Sequence, residues 1–275
     1  MKYILFTLIT ALGVSTHSFG QNFQGIATYQ TATSLDMKLD STSMTPEQQQ
    51  MIMQMLKKQM QKEFELSFNK TESVYKEVEQ LDKQPGMGFM SMLSGVEGVL
   101  YKNLQSGLSS RQTEFFSKLF LVRDTLEKKD WKLGKETKQI GSYTCYKATV
   151  IQPVTSKIFS GEENEDGSHT KEVVDTVEMV AWYTPQIPVS HGPASFWGLP
   201  GLIMEVQDGK TAMLCSKVVL NPKKELKIEE PTEGEEVTRE EFEKIADDKI
   251  KEMERMYGGG RSGRGGGSMK IQITR

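Results

Sequence analysis

Sixteen methionines, three histidines and two cysteines carry the soft-ligand and nucleophilic chemistry this chain can offer. Met51, Met53 and Met55 stand as M-x-M-x-M, with Met87, Met90 and Met92 further along. Thioethers select Cu(I), so an exported methionine cluster raises copper handling as one reading. Helical geometry favours packing instead, because Met51 and Met55 share a face while Met53 points away from it. His169 lies in the acidic run GEENEDGSHT (161–170), which lacks the ligand spacing of a calcium loop and reads as solvated. His191 follows Ser190, yet sequence neighbours do not make a nucleophile–base couple. The patterns G-x-S-x-G, H-E-x-x-H and C-x-x-C do not occur. An unrecognised enzyme using residues near His191 and Glu205 stands as the rival reading, and convergence of those two side chains would support it. No catalytic residue, metal ligand or cofactor is assigned.

Gly258, Gly260 and Gly263 satisfy G-x-G-x-x-G, but they follow a predicted helix and open none, so no helix dipole faces a pyrophosphate. Cys145 and Cys215 lie on two predicted strands, 70 positions apart. In an oxidising compartment they either bridge, which would contribute ~4 kcal/mol by loop closure, or stand as separate buried thiols. The sequence leaves both open.

The segment with most promise for binding is rich in proline. Pro185, Pro188 and Pro193 keep the chain extended and irregular. Leu199-Pro200-Gly201-Leu202 has the chemistry of a type II turn, Pro at i+1 and Gly at i+2. Phe196, Trp197, Leu199, Pro200 and Leu202 form the candidate binding set: a rigid, aromatic-bearing corner that either meets a ligand or partner or folds under the sheet as a core plug.

The elements that must position these residues begin after a processing signal. Lys2, the apolar run Tyr3–Val14 and Ser18-Phe19-Gly20 read as a cleaved export signal, giving a mature start at Gln21. Twelve apolar residues are too few for a span of ~20, and no later stretch approaches that length. The expectation is a water-soluble mature chain without a transmembrane span, in the periplasm or outside the cell. With 34 Lys+Arg against 37 Asp+Glu, no excess of positive charge exists to hold nucleic acid.

Within residues 21–257, roughly ten β segments and two helices are predicted, joined by short connections. Thr45 with Gln48 and Thr238 with Glu241 are capping boxes that open the two helices. Asn69-Lys70-Thr71, Gly141-Ser142 and Asp208-Gly209 are hairpin turns, the Gly141 one suited to type II′. Strands are expected at 23–33, 64–68, 72–78, 99–105, 110–116, 118–123, 131–140, 143–151, 172–184, 202–206 and 211–220. Residues 82–98 read as a loop and 223–236 as a charged linker. Residues 258–275 read as a Gly-rich linker ending in a short strand. Strands joined by tight turns are antiparallel, and no strand–helix–strand alternation appears. The fold class is therefore α+β, mainly β: one large curved antiparallel sheet, a half-barrel at most, with two helices packed on it.

The hexapeptide Gly198-Leu199-Pro200-Gly201-Leu202-Ile203, with AWYTPQIPVSHGPASFWGLPGLIMEV (181–206), IGSYTCYKATV (140–150), LSFNKTESVYKE (66–77) and the TREEFEKI…EMERMYGG helix (238–259), resembles the GLPGLI family of exported bacterial proteins. Trp197 stands where smaller residues or Tyr also fit the family pattern. The resemblance implies a periplasmic or cell-envelope protein without an established activity or catalytic residues, found alongside outer-membrane transporters. A looser likeness to half-barrel lipoprotein carriers implies a hydrophobic concavity. The leading expectation is a non-enzymatic binding or accessory protein whose partner is an apolar ligand or an outer-membrane transport protein.

Overall fold

The computed structural model describes residues 23–33, 45–48, 50, 51, 54, 61–78, 98–159, 170–209, 211–258 and 270–272. The strands are β1 (Gly25–Thr33), β2 (Lys62–Phe68), β3 (Glu72–Glu77), β4 (Val99–Asn103), β5 (Leu108–Phe115), β6 (Lys118–Thr125) and β7 (Lys132–Ile140). They continue as β8 (Tyr143–Phe159), β9 (Thr170–Thr184), β10 (Leu202–Asp208), β11 (Thr211–Leu220), β12 (Glu235–Thr238) and β13 (Lys270–Gln272). Helix α1 includes residues 46–48, 50, 51 and 54, and helix α2 spans Arg239–Gly258. All strands join one open sheet in the order β12-β6-β5-β4-β3-β2-β1-β11-β10-β9-β8-β13, with β7 also paired to β8. The expected α+β class with one large antiparallel sheet holds. Residues 1–20, read as an export signal, lie outside the described residues, as do His169 and most of the methionine clusters. Among the described residues, no helix is long and apolar enough to cross a membrane.

Local chemistry explains most element boundaries. At the β2–β3 hairpin the Asn69 side chain accepts from the Thr71 and Glu72 amides at 2.8 and 2.7 Å, an Asx turn. Gly141 and Gly209 supply the positive φ of their tight turns, at 57° and 73°. Both capping boxes form: Gln48 N donates to Thr45 Oγ1 at 3.3 Å while Thr45 N donates to Gln48 Oε1 at 3.0 Å. Thr238 and Glu241 repeat the arrangement at 3.2 and 2.8 Å.

Three expectations need correction. The charged linker is not free: its end forms β12, which pairs in parallel with β6, and Glu230 earlier in it accepts from Ser110 Oγ at 2.6 Å. Strand β8 runs on past Ile151 through Pro153 to Phe159, paired with β9 throughout. No strand among those described flanks β8 opposite β9 between Thr149 and Ser156, and proline is tolerated in such an edge stretch. The third lies at the Pro200-Gly201 turn.

Cross-strand register defines one inner face. Ala27, Leu66, Tyr75, Leu100, Arg111, Val122 and Val237 are successive directly opposed partners and so share a side of the sheet. Beside them run Gly25, Phe68, Ser73, Lys102, Ser109 and Asp124. Two covers close this face. At one end α2 lays Phe242, Ile245 and Ala246 on Phe115, Phe120, Val122 and Val237, with the Phe242 ring edge-on to Phe120 at 5.4 Å. At the other, residues of the Pro-rich segment enter two cores.

Candidate functional site

The Pro-rich segment between β9 and β10 crosses the inner face as an irregular strap. Ile187 and Val189 enter the core formed by Tyr29, Phe64, Leu66, Phe68, Tyr75 and Leu100. Phe196 and Leu199 enter a second core with Ala148, Met179, Ala181 and Ile203. Few of its backbone groups find regular partners. Gly198 N donates to Ser190 O, Ile203 N to His191 O and Leu202 N to Ile187 O, each at 3.0 Å. The last of these replaces the type II turn expected at Pro200-Gly201, since Leu202 N no longer serves Leu199 O. Gly201 N donates to Leu199 O at 2.8 Å instead. The residue must be glycine for a different reason: a Cβ there would collide with the Thr184 carbonyl.

Three further carbonyls of the strap are met by a buried lysine. Lys102 is fully buried. Its Nζ donates to Gly192 O at 2.8 Å, Ala194 O at 2.6 Å and Phe196 O at 3.3 Å. Three acceptors match the three protons of an ammonium. Burial pushes it down to about 7, helped by the like charge of Arg111, while the three carbonyls act in the opposite sense by hydrogen-bonding the charged form. His191 lies over the same strands, its ring 6.2 Å from that of Phe68. Burial, then the Lys102 charge, holds its imidazole down to about 3, so it is neutral. Sequence reasoning missed Lys102. A signal was present: β4 alternates, so a lysine two residues after Leu100 shares its core-facing side.

The five candidate binding residues divide. Phe196, Leu199 and Leu202 are buried and belong to the cores, so the corner is a plug over most of its surface. Pro200 is exposed and Trp197 half-buried. The outward side forms a cleft of ≈ 450 Å³ lined by Lys128–Leu133, Gly198, Leu199 and Pro200, within the size range of ligand sites. Its walls are tied by two indoles: Trp131 Nε1 donates to Trp197 O at 2.9 Å, and Trp197 Nε1 to Glu127 O at 3.1 Å. Lys129 lies 5.5 Å from the Phe196 ring centroid and donates to Gln152 Oε1 at 2.8 Å.

The other candidate groups each have neighbours of their own. Glu205 is paired with Lys138 at 2.6 Å and accepts from Gln207 at 3.2 Å, and Lys138 Nζ sits 4.5 Å from the Trp182 ring centroid. Its partners are these, whereas the neighbours of His191 are Phe68 and Lys102. Cys145 and Cys215 are buried free thiols in the same core. Burial pushes them up to about 11 and about 12, which disfavours the nucleophilic thiolate. Met51 is exposed, and Gly258 ends α2.

The class defined so far is an open β sheet whose inner face is filled by its own strap, with a cleft on the strap's outward side. A family model described as a protein of unknown function (Porph_ging) matches residues 131–205. That stretch runs from one wall of the cleft through β7, β8, β9 and the strap into β10. No curated protein matches. Matching solved structures include PNGF-II in the C2 space group, with TM-score 0.49 and 16% identity over 81% of this chain. PNGF-II in P21 gives 0.48 and 15% over the same share. The chain spans about a third of the length of each, 32%.

Proposed function

We propose that this chain is an exported member of the GLPGLI family that works in the periplasm or cell envelope by contact, as a non-enzymatic binding or accessory protein. Its partner is a protein, met at the cleft beside Pro200. The observation that carries this reading is the filled inner face. An apolar ligand lodged there would have to displace Phe196, Leu199 and Ile203 and break three hydrogen bonds from a buried ammonium, each stronger than its neutral counterpart. The outward cleft demands no such displacement. It offers apolar surface at Trp131, Leu133 and Pro200 with Lys128 and Lys132 at its rim, the mix of aromatic anchor and polar margin that interfaces use. Export is supported by the Lys2, Tyr3–Val14 and Ser18–Gly20 pattern, and an outer-membrane transport protein is the partner class that the family resemblance implies.

A photo-crosslinking amino acid at Lys132, with Lys249 on α2 as control, tests the reading in the native host. The expected result is one discrete protein adduct from Lys132, recovered from the envelope fraction on a chain beginning at Gln21. A cytosolic chain retaining residues 1–20, or native mass spectrometry showing a stoichiometric lipid and no protein, would overturn it.

A further inference from the structure

Beneath the strap lie three buried polar atoms that make no close hydrogen bond to protein, Ser73 Oγ, His191 Nδ1 and His191 Nε2, although the Asn69 backbone approaches the imidazole and favours its charged form. Ser73 and His191 both adjoin Phe68. Ser73 is directly opposed to Phe68 on one side and Lys102 on the other, and His191 packs its ring against Phe68. Both residues are fully buried. A buried hydroxyl or imidazole edge left dry forfeits its hydration without return, and native interiors meet such groups with ordered water. The chemistry of the pair narrows the ligand further. A neutral imidazole presents one donor and one acceptor, and a hydroxyl presents both. The complement is therefore small, neutral and able to donate and accept at once. A cation would meet Lys102, whose charge is already buried here. An anion would face the bare lone pair of the unprotonated His191 nitrogen.

We propose that Ser73 Oγ and His191 bind an ordered internal water that joins the strap to strand β3, completing the polar joint whose other member is Lys102. Lys102 holds the strap through carbonyls at residues 192, 194 and 196, and the water holds it through the side chain at 191. The two attachments bracket the start of the strap's 191–197 turn.

A high-resolution crystal structure of the mature chain tests this directly. The expected result is a water peak within about 2.7–3.2 Å of Ser73 Oγ and of one His191 nitrogen. A second measurement is the melting temperature of Ser73→Ala. Loss of a bridging water's partner predicts a fall of roughly 2–4 °C, the shift that about 1 kcal/mol produces in a domain of this size. A dry site predicts the opposite, a rise in Tm on removing an orphaned hydroxyl. Empty density with a raised Tm would overturn the proposal. So would an ion at the site with wild-type Tm increasing with chloride. If Ser73→Ala does not fold, the density alone decides.

Discussion

The inner face of the sheet is closed by two covers that solve the same problem differently. Helix α2 satisfies its backbone internally and opens with its own capping box, so what it brings to the sheet is apolar: Phe242, Ile245 and Ala246. Its polar contacts stay at the surface, as in the pairs Arg239–Asp124 and Lys249–Glu252. The Pro-rich strap has no such ladder. Pro185, Pro188 and Pro193 remove donors, and the carbonyls at 192, 194 and 196 must find a partner from outside the segment. The sheet supplies one at the cost of burying an ammonium. An irregular cover therefore requires a polar core where a regular one does not.

The sharpest way to break this contrast is to remove the polar anchor. Lys102→Met keeps the length of the side chain and orphans three carbonyls, so a loss of roughly 3–5 kcal/mol is expected. Phe242→Ala, under the helical cover, removes a half-buried ring and should cost about 2 kcal/mol. Urea unfolding midpoints of the two variants compare the covers directly, and a Lys102→Met protein as stable as wild type would dissolve the distinction.

Next in size is Gly201→Ala. Its methyl meets the Thr184 carbonyl, an atom fixed where β9 pairs with β10, and the strap must shift to admit it. A loss of roughly 2–4 kcal/mol is expected, measured in the same way. Gly107, also at positive φ but with open space around it, serves as a control for the conformational part alone.

How much of this was legible in the sequence follows the same divide. Helix α2 could be placed because capping and apolar spacing are local signals, and both Thr238 and Glu241 sit where the box requires. The hairpins at Asn69, Gly141 and Asp208 were legible for the same reason. Strand β12 was not, because a run of glutamates reads as linker and its pairing with β6 depends on residues more than a hundred positions away. The strap was visible as a rigid corner and its plug role stood as an alternative, but its turn geometry is set by the contact of Leu202 with Ile187. Lys102 was hidden by its type. A lysine in a strand reads as solvent-facing until the register places it beside Leu100.

Acid titration separates the covers by charge. His191 is held down to about 3 in the fold, against an ordinary value near 6.5, so the unfolded chain takes up the proton first. Stability from this group is complete above about 6.5 and is lost as pH falls toward 3. Asp208, pushed up to about 6 chiefly by burial, acts in the opposite sense and relieves the fold as pH drops below 6. The effect of His191 is therefore read as the difference between wild type and His191→Gln. At pH 4 relative to pH 7, the variant should lose roughly 1–3 kcal/mol less than wild type.

The smallest expected effect lies at the helical cover. Thr238→Ala removes the cap hydroxyl and the hydrogen bond from Glu241 N, with an expected loss of about 1 kcal/mol. Thermal unfolding monitored by circular dichroism checks it, and the strap should be unaffected.

Native-state hydrogen exchange reads the state of the strap without any substitution. If the segment is a fixed part of the interior, the amides of Gly198, Leu202 and Ile203 will exchange only when the whole sheet opens, with protection matching that of Tyr29 and Leu66 in the central strands. Exchange of those three amides through a separate, low-energy opening while Tyr29 and Leu66 stay protected would show a lid that lifts from the inner face, and would contradict the account.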